Sequence, residues 1–220
     1  MDNSDANLNS FGLQGYTADG INGVYLWGCQ SEVNQSYLTS YIPTTTAAVT
    51  RSAETATGSG DASTFNDSEG VLMAEFSNIS ENNNTTVAIA LSDGSLSNSI
   101  SLYYFGTNGV YYDIFNSNGT RSGNSSMTKL QQTLNNRIAL KYKSGDIALW
   151  VNGFELNTNI GTLNLSGLSE LNLDYGSGGF PFYGNTKQIQ YFDTTDIDLE
   201  QLTSWVSFQD MAEGQLYTIE

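Results

Sequence analysis

The chain has 220 residues, 39% apolar and 12% aromatic, enough for one substantial domain without disulfide staples. Seven basic residues against 23 acidic ones leave a net charge of -16, which repels phosphate backbones and anionic lipid and argues against nucleic-acid or membrane-surface binding. The absence of histidine and the single Cys29 exclude His-dependent triads, His-ligated zinc, cysteine clusters and an intrachain disulfide.

Charged residues are only 14% of the chain, and Asn, Ser, Thr and 22 Gly fill the gap. That composition belongs to a turn-rich β protein. The first thirty residues carry no basic start and no apolar run of signal-peptide length, and no window approaches a membrane span. The expectation is a soluble chain without membrane insertion, made without its own secretion signal or as part of something larger.

In chain order, residues 1–60 read as an arm or linker, or as the end of an upstream β domain. Val24–Cys29 and Ala48–Ala53 are strand candidates there, separated by the extended Tyr41-Ile42-Pro43 and Thr44–Thr46. Residues 61–220 hold the main domain. Its strand candidates are Gly70–Phe76, Thr86–Leu91, Ser99–Phe105, Val110–Phe115, Asn136–Lys143, Asp146–Asn152, Phe154–Leu156, Glu170–Asp174 and Phe182–Phe192. Each is rich in β-branched or aromatic residues and bounded by Gly, Asn, Asp or Ser. So many short strands predict an all-β sandwich or barrel. Ser144-Gly145 and Asn152-Gly153 are the sharpest hairpin signals. The one helix expected is Asp196–Trp205, with Ile197, Leu202 and Trp205 near helical spacing and acids at its start.

Two segments resemble known families. Arg137-Ile138-Ala139-Leu140-Lys141-Tyr142, then Ser144-Gly145-Asp146 and Leu149-Trp150-Val151-Asn152-Gly153, resembles the central hairpin of laminin-G-like, concanavalin A-like jelly rolls. Phe182-Tyr183-Gly184, Ile189, Tyr191-Phe192 and Asp198, Leu199, Glu200, Leu202 resemble that family's closing strand and short helix. The resemblance implies a two-sheet antiparallel jelly-roll sandwich with an extended N-terminal arm and one short C-terminal helix. Upstream, Gly28-Cys29-Gln30-Ser31-Glu32, Ser36–Thr44 and Ala48-Val49-Thr50-Arg51 look like a linker of bacteriophage virion proteins, usually "GAQLE…SYPTSYIPT…AVTR". Cys29 stands for the usual Ala and Ser31 for Leu. The implied role is a non-catalytic tail or head fibre module on the virion, bound to other virion subunits and facing a glycan of the host surface.

Strand alternation assigns faces. If Ile138, Leu140, Ile147, Leu149 and Val151 face the core, Arg137, Lys141, Lys143 and Trp150 face away. By the same rule Tyr103, Tyr111, Asp113 and Phe115 point outward. The expected ligand-binding set is therefore Tyr103, Tyr111, Asp113, Phe115, Arg137, Lys141, Trp150 and Asn152, on an open sheet face. There aromatic planes would stack on sugar rings and polar groups would bond hydroxyls. The alternative is that the arm or a neighbouring subunit covers this face. Three bases beside Trp150 lean toward an anionic ligand.

Asp196, Asp198 and Glu200 mimic the alternating carboxylates of jelly-roll glucanases, so a polysaccharide-active enzyme is the alternative function. Their place after the closing strand favours a helix start, and no catalytic residue is assigned. A carbohydrate-binding module of a secreted, extracellular enzyme is a third reading. No cofactor is required; calcium remains possible at Asp61, Asn66, Asp67 and Glu69 or at Asp193, Asp196 and Asp198. The apolar residues of the arm, among them Phe11, Tyr16, Tyr25, Leu26 and Trp27, point to a homo-oligomer.

Overall fold

Apolar residues at every second position, interrupted by Gly- and Asn-rich turns, force the chain into paired strands that share one buried side. The computed structural model describes residues 41–43, 47, 49, 58–79, 87–106, 109–127, 130–207 and 209–211. The strand candidates Val24–Cys29 and, but for Val49, Ala48–Ala53 lie outside them, as does most of the arm. The sandwich belongs to the unit Arg51–Glu220.

The described residues form ten strands and one helix in order: β1 (Glu69–Asn78), β2 (Val87–Ser92), β3 (Ser99–Phe105), β4 (Gly109–Phe115), β5 (Arg121–Met127), β6 (Asn136–Lys143), β7 (Ile147–Val151), β8 (Phe154–Asn159), β9 (Glu170–Asn172), β10 (Gly184–Phe192) and α1 (Leu199–Thr203). They form two five-stranded sheets, β10-β1-β6-β7-β8 (sheet A) and β5-β4-β3-β2-β9 (sheet B). Every described strand pair is antiparallel. The expected all-β two-sheet sandwich is what forms.

The inner faces meet in one core. Leu72, Ala74 and Phe76 of β1, Ile138, Leu140 and Tyr142 of β6 and Leu149 of β7 face Ile89, Leu91, Ile100, Leu102, Tyr104, Tyr112 and Ile114 of sheet B. Tyr104 carries a hydroxyl into this core and discharges it across the sandwich. It donates to the Phe76 carbonyl at 3.0 Å and accepts from Asn136 Nδ2 at 3.2 Å.

The turns behave as their residues require. Asn152 and Gly153 both adopt positive φ, 50° and 86°, so β7 and β8 are joined through a tight two-residue link. Strand β5, absent from the sequence expectation, reads Arg-Ser-Gly-Asn-Ser-Ser-Met and has no apolar run. It is an edge strand of sheet B. Its Gly123 sits where a Cβ would come within 3.1 Å of Tyr112 and 3.3 Å of Ile147, so larger neighbours already fill its core volume. The helix is shorter than Asp196–Trp205 because Ser204 is already extended. Asp198 caps it, accepting from Gln201 N at 2.9 Å.

Burial raises the hydroxyl pKa of both Tyr104 and Tyr142, and a hydrogen bond to Tyr191 adds to the rise at Tyr142. The folded chain keeps protons that the unfolded chain releases above about pH 10, so this stabilisation is intact below that pH and declines above it. Thermal melts should show the midpoint dropping steeply above about pH 10, and Tyr142→Phe should flatten the drop. A wild-type midpoint constant across that range would contradict the account.

Candidate functional site

The face assignments hold strand by strand, but they do not describe one face. Tyr103, Tyr111, Asp113 and Phe115 point outward from sheet B, whereas Arg137, Lys141 and Trp150 point outward from sheet A, with Asn152 in its β7–β8 turn. Two packed layers, about 10 Å apart, separate the two groups. The expected single groove is therefore corrected to two opposite surfaces. Alternation tells inward from outward within a sheet but not which sheet a strand joins.

On sheet A the candidates serve packing. Trp150 joins Val71, Met73 and Ala139 beneath Ile197, Leu199 and Leu202, so the α1 segment covers this face. Arg137 donates to the Ser204 carbonyl, lies 6.0 Å from the Trp205 ring and meets buried Glu75 at 3.8 Å. Lys141 pairs with Asp146 at 2.7 Å, across the tight turn it flanks. Asn152 accepts from Arg137 N and donates to Asn136 Oδ1, both at 2.9 Å. Thr203 of α1 locks the same turn, accepting from Gly153 N at 3.1 Å.

On sheet B the candidates converge on Asp113. Antiparallel register puts Tyr103 opposite Tyr111, Ser101 opposite Asp113 and Phe115 opposite Arg121. Asp113 is only 1% exposed, and two hydroxyl donors and a guanidinium ion pair hold its carboxylate. Tyr103 OH donates to Oδ2 at 2.8 Å, Tyr175 OH donates to the same oxygen, and Arg121 Nε meets Oδ1 at 3.1 Å. Burial first, and the neighbouring carboxylate second, push the hydroxyl pKa of Tyr103 and Tyr175 upward. Both phenols stay protonated donors at any physiological pH.

Around this hub stands a shell of rings. Tyr103 and Tyr111 stack with centroids 5.4 Å apart, and Phe105 meets Tyr111 edge-on at 5.8 Å. Tyr175 packs edge-on against Tyr103 at 5.1 Å and Phe180 against Tyr175 at 5.8 Å. Phe105 is 51% and Phe180 56% exposed. Arg121 lies 5.1 Å over the Phe115 ring. The outward positions of β4 from Phe115 to Tyr111 span about 14 Å.

Tyr175 and Phe180 come from the loop between β9 and β10, which folds across the β2–β3 part of this face. It is closed by Tyr175 N to the Gly179 carbonyl and Phe182 N to the Leu173 carbonyl, each 2.9 Å. Gly176 lets it lie flat, since a Cβ there would stand 3.3–3.6 Å from Ser92, Ser99 and Ala90. The floor beneath consists of small residues, and Ser101 Oγ is buried there without a partner among the described residues. Sequence reading missed Arg121, Tyr175, Phe180 and Phe105. Of these, only Phe105 carried a signal, because it alternates with Tyr103 on a recognised strand.

Four of the acidic residues singled out are tied into the fold. Asp198 is the helix cap, and Thr195 Oγ1 donates to Glu69 at 3.0 Å. A hydrogen bond from Lys143, then one from Thr195, holds the Glu69 carboxyl below its ordinary pKa. Asp61 accepts from Ser63, and Asp67 accepts from Gly167 N and Leu168 N at 2.6 and 3.0 Å. Among the described residues no three His, Cys, Asp or Glu side chains are grouped to hold a metal ion.

These elements define an antiparallel two-sheet jelly-roll sandwich with one outer face capped by α1 and the other partly open. Solved structures share that fold. The CBM40 module of the Ruminococcus gnavus IT-sialidase matches with a TM-score of 0.52 and 17% identity, over 67% of this chain and 93% of the module. The same module bound to α2,6 sialyllactose matches with a TM-score of 0.52 and 18% identity, over 67% and 93%. The NanB sialidase from Streptococcus pneumoniae matches with a TM-score of 0.52 and 16% identity, over 67% of this chain but 26% of the sialidase. No protein-family model and no curated protein matches the sequence.

Trp150→Ala should cost about 2 kcal/mol, through lost burial beneath α1. Asn152→Ala should cost about 2 kcal/mol, through two lost hydrogen bonds and a Cβ-bearing residue without a polar side chain at positive φ. Urea unfolding should show both as lower midpoints with unchanged slope.

Proposed function

We propose that this chain is a non-catalytic saccharide-binding module that holds its ligand on the outer face of sheet B. One observation carries the reading: half-exposed rings surround a fully bonded Asp113 and a half-exposed Arg121 on a flat, two-layer scaffold. The apolar faces of a pyranose stack on aromatic planes, while guanidinium and hydroxyl groups orient the ring substituents. A span of about 14 Å accommodates two to three sugar rings, at roughly two strand positions per ring. The likeness to the CBM40 module with sialyllactose bound supports the same reading.

We further propose that the module sits on a phage particle, as a tail or head fibre component presented to glycans of the host surface. The linker-like segment over residues 28–51 supports that placement. The apolar content of residues 1–60 supports a homo-oligomer or attachment to other virion subunits. The sandwich also suits a carbohydrate-binding module of a secreted enzyme, the setting of the CBM40 neighbours. This reading requires no cofactor and is compatible with a calcium ion bound in the loops.

A glycan array followed by titration calorimetry should identify a saccharide ligand. Tyr111→Ala and Phe180→Ala should each weaken its binding about tenfold, the equivalent of about 1.4 kcal/mol. Trp150→Ala, on the opposite sheet, should leave affinity unchanged. An array without hits, or binding insensitive to Tyr111→Ala, overturns the saccharide reading. The particle placement is checked separately, by mass spectrometry of purified virions. There the chain should appear in stoichiometric amount, and its absence would leave the enzyme-module setting.

A further inference from the structure

We propose that Arg121 makes this face selective for saccharides bearing an anionic group, a carboxylate or a sulfate. The proposal rests on the saccharide-binding reading and adds the ligand class to it. A guanidinium has five N–H donors in a planar fork. Here Nε forms an ion pair with Asp113 Oδ1 at 3.1 Å, and the guanidinium carbon lies 5.1 Å over the Phe115 ring. The two terminal nitrogens are left on a side chain 47% exposed. They form the edge that pairs two-to-two with a carboxylate or sulfate.

Asp113 does not cancel this for a ligand. Its carboxylate is 1% exposed and turned inward onto Tyr103, Tyr175 and Arg121, so it offers no free acceptor edge at the surface. It acts as a positioning residue: it fixes the guanidinium from behind and leaves donors in front. A neutral sugar hydroxyl is best met by a donor and an acceptor together. This end of the face supplies donors.

The remaining charges sharpen the point. Of the described cations, Arg137, Lys141, Lys143 and Lys187 each meet a carboxylate on sheet A or at its turns. Sheet B therefore has one cation among its described residues. Glu170 lies in the same cross-strand row as Arg121 but four strands away, about 19 Å, and beyond a Debye length of about 8 Å. Asp93, in the β2–β3 turn, is bonded to Ser95 N and Oγ at 2.9 and 2.6 Å. The chain's net charge of -16 slows the approach of an anion at low salt, and screening relieves that repulsion. Selectivity is therefore to be read at physiological ionic strength.

The test uses matched pairs that differ only in charge: sialyllactose and lactose, oligogalacturonate and its methyl ester, sulfated and desulfated galactan. Calorimetry on the full chain should show the charged member of at least one pair binding about tenfold tighter or better. Arg121→Gln should weaken the charged member about tenfold more than the neutral one, so that the affinity ratio within the pair falls to about one. Arg121→Lys, which keeps the charge but lacks the fork, should retain only part of the preference. The pair that responds separates carboxylate from sulfate. Equal affinity within every pair, or a preference that survives Arg121→Gln in a variant with unchanged circular dichroism, overturns this proposal. If neutral saccharides still bind and Tyr111→Ala still weakens them, the saccharide reading stands without it. If no saccharide binds, both fall.

Discussion

Burial of alternate residues from two sheets against each other is the constraint on which everything else in this domain depends. Once Leu72, Phe76, Leu140 and Leu149 are committed to meeting Ile89, Leu102, Tyr112 and Ile114, the intervening residues must point away from the core. The sandwich therefore has two outer faces whose contents are dictated residue by residue. What happens on those faces is left to the segments that follow the strands. The C-terminal segment lays Ile197, Leu199 and Leu202 over Trp150 and Met73, and that face becomes a second small core. The β9–β10 loop crosses only part of the other face, with Gly176 against a floor of small residues.

Asp113 shows why the open face is ordered rather than merely exposed. A carboxylate removed from water costs several kcal/mol unless charge and hydrogen bonds compensate. Here two phenol hydroxyls and a guanidinium do so, and each arrives from a different element: β3, the β9–β10 loop and β5. One buried acid thus ties an edge strand and a loop to the sheet centre. The rings attached to those donors, Tyr103 and Tyr175, inherit fixed positions. A surface made this way loses little conformational freedom when a ligand settles on it.

Much of this was legible in the sequence. Runs of β-branched and aromatic residues, with the turn signals between them, located nine of the ten described strands, including Ser99–Phe105 and Asn136–Lys143 to the residue. Ser144-Gly145 and Asn152-Gly153 announced their turns because Gly145, Asn152 and Gly153 all take positive φ, which few residue types tolerate. The outward orientation of Tyr103, Tyr111, Asp113, Phe115 and Trp150 also followed, since side-chain direction along a strand is a local property. Strand β5 did not follow. Its Arg121-Ser122-Gly123 opening reads as loop, and it is a strand only because β4 offers it a hydrogen-bonding edge.

What the sequence alone determined is thus everything that short-range geometry controls: the β class, the turns, the inward and outward sets, and one short helix with acids at its start, expected from Asp196 and opened in the structure behind its cap Asp198. Only the tertiary structure decided which outward residues share a face. Trp150 and Tyr103 are equally aromatic and equally outward on their strands. They ended on opposite sides because sheet membership is set by pairing between strands far apart in the chain, β1 with β10 and β6, β2 with β9. That same long-range pairing brought Tyr175 to Asp113 across 62 positions of sequence, whereas Arg121 reaches it across only 8, within the β4–β5 hairpin. No local pattern encodes the meeting with Tyr175, because its contacts exist only once β9 has paired with β2 and the β9–β10 loop has folded over sheet B.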